Sequence, residues 1–149
     1  MGAAREAAAR FPSRVFCDTS FFYACVDVHD AFHRSALILA GMAAQRGTQL
    51  WTTWDVVSES VTLFRYRHSW AAAARFLDEV KPGLHVMDYG AGVRAEAEHV
   101  FRRHARDRRL SFCDAISFVV VTALLEGSPC LAFDEDFRRL GLTVLTALH

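Results

Sequence analysis

Short apolar runs alternate along this chain with longer segments in which apolar residues recur every three or four positions. The runs at 15–17, 50–52, 84–87 and 130–133 are typical of short buried strands, and 142–145 is typical of a short closing strand. Helical spacing predicts helices over 31–46, 69–80 and 90–109, and another that opens at 52–55. The segment 115–126 is apolar on nearly every face, which predicts a helix buried at the centre of the fold.

Strands that alternate with helices indicate a parallel sheet with helices on both of its faces. We therefore predict the α/β class, with one α/β/α domain over 14–149 built on a parallel central sheet of about four to five short strands. Residues 1–13 are rich in alanine and arginine and are interpreted as an N-terminal extension.

The composition suits one domain and gives no general attraction to nucleic acid. With 149 residues, 52% of them hydrophobic, the chain has enough apolar surface for a single core. Its 17 basic and 17 acidic side chains cancel, so a polyanionic partner has to be held by local charges. No apolar run approaches the roughly 18 residues of a membrane span, and we expect a cytoplasmic protein with no membrane partner.

Acidic residues recur where the predicted strands end or the predicted helices begin. Asp18 follows the first strand, Glu59 lies in the helix after the second, Asp114 is in the first turn of the central helix, and Asp134 and Asp136 follow the fourth strand. Functional groups of parallel sheets gather at the carboxyl ends of the strands. We therefore expect these carboxylates to converge at one edge of the sheet.

Several of these acids have apolar neighbours in sequence, and burying carboxylates together is unfavourable because each raises the pKa of the others. A hard divalent cation relieves this repulsion, and ligands that are all oxygen suit Mg²⁺ or Mn²⁺. Three hydroxyls are candidate hydrogen-bond donors to the acids: Thr19, Ser20 and Ser117. Taken singly, each aspartate is also typical of a helix cap.

Four stretches of the chain share this acidic pattern: VFCDTSFFYA at 15–24, WTTWDVVSESVTLFR at 51–65, LSFCDAISF at 110–118 and AFDEDFRRLG at 132–141. In this order and spacing they resemble the PIN-domain ribonucleases, and among these the small VapC-type toxins of type II toxin–antitoxin pairs. The resemblance extends over most of 15–145.

The resemblance implies metal-dependent cleavage of RNA by a carboxylate site. Asp18, Glu59 and Asp114 match the three core acids of the family, and the fourth is Asp134 or Asp136, of which Asp134 is favoured because it follows the strand directly. The implied cofactor is Mg²⁺ or Mn²⁺. Thr19 or Ser20 matches the hydroxyl that the family carries beside the first acid.

The resemblance also implies partners. These are an RNA substrate, a cognate antitoxin protein and a second copy of the chain in a homodimer. Arginine-rich runs are candidates for gripping phosphate, and from them we select Arg65, Arg102 and Arg103 as RNA-binding residues. A solvated helix face or a protein contact explains such runs equally well.

Two alternatives remain open at this point. The first is a PIN-domain RNA-processing nuclease that acts outside a toxin–antitoxin pair. The second is a non-catalytic α/β domain of the receiver type, used for signalling or binding, which also has an acid pocket. Lys81-Pro82 resembles a dipeptide of receiver domains but comes too early in the chain for that fold.

Overall fold

A four-stranded sheet in the order β3-β2-β1-β4, with every neighbouring pair parallel, forms the centre of the protein. The computed structural model describes residues 2–3 and 10–147. Its strands are β1 (Arg14–Cys17), β2 (Gln49–Thr52), β3 (His85–Val86) and β4 (Cys130–Leu131). The predicted α/β class and parallel sheet are confirmed.

Seven α-helices of the described residues flank this sheet. They are α1 (Thr19–Val26), α2 (His33–Arg46), α3 (Trp54–Arg67), α4 (Trp70–Arg75), α5 (Ala91–His104), α6 (Phe112–Val119) and α7 (Glu135–Arg139). A π-helical turn continues α4 over Phe76–Val80, and another continues α6 over Val120–Leu124. Each extra residue in such a turn rotates the side chains that follow relative to a regular helix.

The core is built around β1, which has a hydrogen-bonded neighbour on each side. After Arg14, the strand residues Val15, Phe16 and Cys17 are all fully buried, so these apolar positions do not alternate between a buried and an exposed face. The Phe16 ring lies 6.4 Å from that of Phe137 on α7, which ties the last helix to the central strand. Polar side chains begin at Asp18, where β1 ends, and this edge of the sheet carries the candidate site.

Three elements differ from the prediction. The segment 142–145 forms only a single bridge, between Val144 and Cys130, so the described sheet has four strands and the predicted fifth is reduced to one contact. The helix predicted over 90–109 ends at His104. Helix α1 was not predicted. It follows β1 after a single residue, and the apolar run of the strand continues into the helix without a change of periodicity.

The apolar face of α2 also differs from the one that helical spacing predicts, which is marked by Phe32, Leu37, Ile38 and Met42. Its buried residues are Ala36, Leu39 and Ala43, whereas Phe32 before the helix and Leu37 within it are 47% and 50% exposed. Small alanine side chains allow the helix to approach its neighbours closely. Phe32 and Leu37 are left facing outward, while Leu39 is the large side chain on the buried face.

The predicted extension at 1–13 lies partly outside the described residues, which omit 1 and 4–9. Its last residues belong to the packed structure, since Phe11 is buried and the Thr48 hydroxyl donates a 2.7 Å hydrogen bond to the Pro12 carbonyl. The boundary between extension and domain stays a prediction.

Candidate metal and active site

A cleft of about 480 Å³ opens at the carboxyl end of β1, between α1, α3 and the turn that precedes α7. Four of the predicted acids line it: Asp18, Glu59, Asp114 and Asp134. They come from four separate elements, so the fold and not local sequence brings them together. Asp136 does not line this cleft but lies directly beside it.

Asp18 is buried at the N-cap of α1. One carboxylate oxygen, Oδ2, accepts hydrogen bonds from the Ser20 N–H at 3.1 Å and the Ser20 hydroxyl at 2.7 Å. The other oxygen, Oδ1, is buried and has no hydrogen-bond partner among the described residues. The pKa of Asp18 is raised to about 6, chiefly by burial. The hydrogen bonds from Ser20 oppose this rise, and the nearby charges of Glu59 and Asp134 add to it.

Ser20 connects two parts of the site. Besides donating to Asp18, its hydroxyl oxygen accepts a 2.9 Å hydrogen bond from the Phe133 N–H, in the loop between β4 and α7. Residues 113 positions apart in sequence are joined by this contact. The hydroxyl therefore fixes the position of the first acid relative to the loop that leads into Asp134.

Asp114 is the third residue of α6 and completes a capping box with Ser111. The Ser111 hydroxyl accepts from the Asp114 N–H at 3.0 Å, and Asp114 Oδ2 accepts from the Ser111 N–H at 3.3 Å; the spacing of serine and aspartate in the sequence is typical of such a box. Burial, followed by the charge of Asp18, raises the pKa of Asp114 to about 7. The Asp114 side chain thus both caps its helix and belongs to the cluster of acids.

Asp134 and Asp136 both approach Asp114. Carboxylate oxygens of the three residues lie within 4.8 Å of one another. Asp134 caps α7 by accepting from the Asp136 N–H at 3.0 Å. Burial raises the pKa of Asp136, as do the hydrogen bond to Asp134 and its charge. The sequence left these two as alternatives for one position, and the structure places both beside Asp114.

Asp18 and Glu59 line the same cleft but stand outside this close group of three. Glu59 is exposed on α3 and lines the cleft from that helix. The charge of Glu59 raises the pKa of Asp18, and the charge of Asp18 raises that of Asp114, which links these three acids electrostatically.

The predicted hydroxyls have different surroundings. Ser20 bonds to Asp18, as described above. The Thr19 hydroxyl donates weakly to the Val56 carbonyl at 3.5 Å and accepts from Ser60 at 3.2 Å, so it ties α1 to α3. The Ser117 hydroxyl is buried without a hydrogen-bond partner among the described residues.

Two arginines line the cleft, and neither is among the three selected from the sequence. Arg67 lies eight residues after Glu59 on the same face of α3, and Arg109 lies in the segment between α5 and α6. The three selected residues, Arg65, Arg102 and Arg103, are exposed and do not line it. The spacing of 59, 63 and 67 along α3 was a signal available in the sequence.

Asp55, near Glu59 on α3, has a different role from the acids of the cleft. The Tyr89 hydroxyl donates a 2.6 Å hydrogen bond to its carboxylate, which fastens the segment after β3 to the start of α3. Lys81 likewise does not line the cleft, and its Nζ lies 5.5 Å from the centre of a ring of Trp54. A receiver-type arrangement of lysine and acids is therefore absent from the described residues.

The donor set fits a hard divalent cation. It consists of carboxylate oxygens, one of which, Asp18 Oδ1, is buried and unpartnered. The raised pKa values of Asp18 and Asp114 show that ionised carboxylates are unfavourable here without a compensating charge. Oxygen ligands of this kind suit Mg²⁺ or Mn²⁺.

No helix among residues 2–3 and 10–147 is both long enough and apolar enough to cross a bilayer.

Comparison with known proteins agrees with the geometry of the cleft. The family model described as PIN domain matches residues 15–142. The crystal structure of Mycobacterium tuberculosis VapC20, a Sarcin-Ricin loop cleaving toxin, is 29% identical, superposes with a TM-score of 0.75 and is covered over 98% of its chain and 89% of this one. No curated protein sequence matches this chain. The resemblance inferred from the four acidic stretches is confirmed: this chain belongs to the PIN-domain family, and its structure is similar to that of a VapC toxin.

Proposed function

We propose that this protein is a metal-dependent endoribonuclease of the VapC toxin type, which cleaves phosphodiester bonds of RNA. The observation that carries the proposal is the convergence of Asp18, Glu59, Asp114 and Asp134 on one cleft of a PIN-domain chain. The similarity to an RNA-cleaving toxin supports the choice of RNA as the substrate. A receiver-type domain is set aside because the chain belongs to a different family.

Asp114, Asp134 and Asp136, with Asp18 across the cleft, would hold Mg²⁺ or Mn²⁺. When bound, such a cation supplies a nucleophilic water at neutral pH and neutralises charge on the phosphate. Ser20 orients Asp18 by its 2.7 Å hydrogen bond and leaves Oδ1 available as a ligand. The arginines of the cleft, Arg67 and Arg109, would hold phosphates next to the scissile bond because they supply positive charge beside a carboxylate site.

Cleavage of labelled single-stranded RNA by the purified protein in Mg²⁺ or Mn²⁺ tests the proposal. We expect Asp18→Asn to lower the rate by about a hundredfold or more, because a charged carboxylate of the cleft becomes a neutral amide. Asp78→Asn is the matched control, since Asp78 is exposed on the π-helical turn after α4 and should leave the rate unchanged. Equal rates for the wild type and Asp18→Asn would exclude the proposed site.

Metal binding is measured separately from activity. We expect Mn²⁺ to raise the melting temperature, because a ligand that binds only the folded state stabilises it. Asp114→Asn should remove most of this rise, since Asp114 belongs to the closest group of carboxylates. Asp78→Asn again serves as the control. A full Mn²⁺ effect in Asp114→Asn would remove that residue from the metal site.

A cognate antitoxin is the proposed protein partner, and RNA cleavage would take place in the cytoplasm. A neighbouring gene for a small protein that restores growth when co-expressed would support the toxin assignment. If wild-type protein cleaves RNA but no such partner exists, the RNA-processing alternative is favoured.

A further inference from the structure

A second cavity adjoins the acid cleft. It has a volume of about 230 Å³ and lies between the start of α2, the loop after β4, helix α7 and the chain that follows Val144. Phe32, Phe133 and Asp134 line both cavities. A group that enters the second cavity therefore lies immediately beside whatever occupies the acid cleft.

Phe32 and Phe133, which line both cavities, belong to a stack of three phenylalanines. The rings of Phe32 and Phe133 lie 4.8 Å apart and are inclined by only 7°, and the Phe133 ring lies 6.5 Å from that of Phe21 at 28°. Phe21 is buried in the core, whereas Phe32 is 47% exposed. The stack therefore runs outward from the core and ends in an aromatic ring that is open to solvent at the edge of the site.

Helix formation does not explain the choice of phenylalanine at this position. Phe32 is the N-cap of α2 and makes no side-chain capping bond, although serine, threonine, aspartate and asparagine are preferred there. Its backbone is nevertheless fixed, because the Phe32 N–H donates a 2.8 Å hydrogen bond to Asp30 Oδ1. The exposed ring is thus held in place before any ligand arrives.

The walls of the second cavity carry both donors and acceptors. Ser35 and Arg138 provide hydrogen-bond donors, and Glu135 provides an acceptor. A nucleobase has flat apolar faces, which stack on aromatic rings, and an edge that presents donors and acceptors together. The volume is below the roughly 300–1,000 Å³ of sites for drug-sized molecules, which suits a single base.

We propose that this cavity is a subsite for one unpaired base of the RNA, stacked against Phe32 next to the phosphate held in the acid cleft. The inference rests on the proposed function, because the acid cleft is taken to hold a phosphate of RNA. Continuity of the two cavities favours a base of the same strand over a side chain of a separate protein. The substrate must then be single-stranded at this position, since a paired base cannot leave its stack without cost.

Binding of single-stranded RNA tests the subsite without requiring cleavage. Fluorescence anisotropy is measured with a labelled hexanucleotide in the Asp18→Asn variant, in which the proposed cleavage is stopped. Adding Phe32→Ala should weaken binding by about tenfold, since stacking on an aromatic side chain contributes strongly to affinity for a single strand. Phe32→Tyr should restore most of the lost affinity. Phe101→Ala is the control, because Phe101 is 37% exposed but lines neither cavity.

A hexanucleotide with abasic positions separates base stacking from other effects of the substitution. The abasic strand should bind Phe32→Ala and its parent with equal affinity, because no base is left to stack. The inference is wrong if Phe32→Ala weakens both strands equally, or weakens neither. Unchanged RNA binding with reduced antitoxin binding would instead assign the cavity to the protein partner.

Melting temperatures of the variants show whether a loss of affinity comes from loss of the fold. The outcomes for the two proposals are also distinct. Absence of metal-dependent cleavage by the wild type would exclude the nuclease, whereas cleavage that continues without any dependence of binding on Phe32 would exclude only the base subsite.

Discussion

The pKa values of Asp18 and Asp114 are higher in the folded protein than in the unfolded chain. Their pKa values are raised to about 6 and about 7, chiefly by burial, from an ordinary value of 3.8. A carboxyl whose pKa is higher in the folded state stabilises the fold at low pH, where both states are protonated, and this contribution is lost as pH rises through the folded pKa. In the absence of metal, these two residues therefore favour the fold at mildly acid pH.

The melting temperature in EDTA should accordingly fall between about pH 4 and about pH 7, from the ordinary pKa of the two carboxyls to their pKa values in the folded protein. The loss of stability is on the order of 2 kcal/mol, or about 5 °C for a domain of this size. A double variant, Asp18→Asn with Asp114→Asn, should show a flatter profile because neither amide titrates. With Mn²⁺ present the slope should reverse in the wild type, since protons compete with the cation. A profile in EDTA that is identical in the wild type and the double variant would contradict the raised pKa values.

For single residues, contacts within one helical turn can be predicted from the sequence, whereas contacts between distant parts of the chain cannot. The capping box of Ser111 and Asp114 was predictable because both partners lie within one turn. The bond from the Phe133 N–H to Ser20 was not, because it joins residues 113 positions apart and depends on how β4 pairs with β1. Sequence placed Ser20 near Asp18 but gave no sign of this second contact.

At the scale of elements, the face of α3 decides which arginines meet the site. Residues four apart lie on one side of a helix, so Glu59 and Arg67 share a face, whereas Arg65 points about 200° away from Arg67 around the axis. Position around the helix axis therefore distinguishes Arg65 from Arg67, which carry the same charge and are both exposed. It therefore supplies a pair of variants that differ in position alone.

Arg67→Gln should weaken binding of single-stranded RNA and reduce the salt slope of log K by about 0.7, the value for one lost phosphate contact. Arg65→Gln removes the same charge from the same helix and should leave the slope unchanged. Binding is measured by anisotropy over a series of salt concentrations in the Asp18→Asn variant. Equal losses in the two variants would show that only overall charge matters.

Strands and helices were predicted correctly where the apolar periodicity was clear, and incorrectly where tertiary packing determined the structure. The strands at 15–17 and 50–52 and the helix starting near 90 follow directly from apolar pattern. Helix α1 was missed because Phe21 and Phe22 continue the apolar run of β1 across Asp18. The buried face of α2 was misjudged because it consists of Leu39 with the small residues Ala36 and Ala43, whereas the large side chain of Leu37 faces outward.

At the scale of the whole molecule, the hairpin of α3 and α4 carries an unusual amount of exposed apolar surface. Trp54, Trp70, Leu77 and Val80 are 59%, 68%, 38% and 37% exposed. Trp70 therefore faces outward, whereas Phe76, six residues later, is buried. Large exposed apolar surfaces on a globular domain commonly mark contacts with another chain.

The chain should therefore form a homodimer through this hairpin. Light scattering coupled to gel filtration should give twice the chain mass for the wild type, and Trp70→Glu should shift it to the mass of one chain, because a charge is placed in an apolar contact. Val28→Glu is the control, since Val28 is 67% exposed in the turn after α1. A dimer that survives Trp70→Glu would place the interface elsewhere.

The hydrogen bond between Ser20 and Phe133 also has a consequence for the order of events during synthesis. The first acid emerges from the ribosome early, but its partners in the loop after β4 follow more than a hundred residues later. Contacts so distant in sequence form last, when nearly the whole chain is free to fold. A polypeptide interrupted before Cys130 would carry Asp18, Glu59 and Asp114 without the loop that completes the cleft. On the proposed function, nuclease activity would thus be withheld until translation is almost finished.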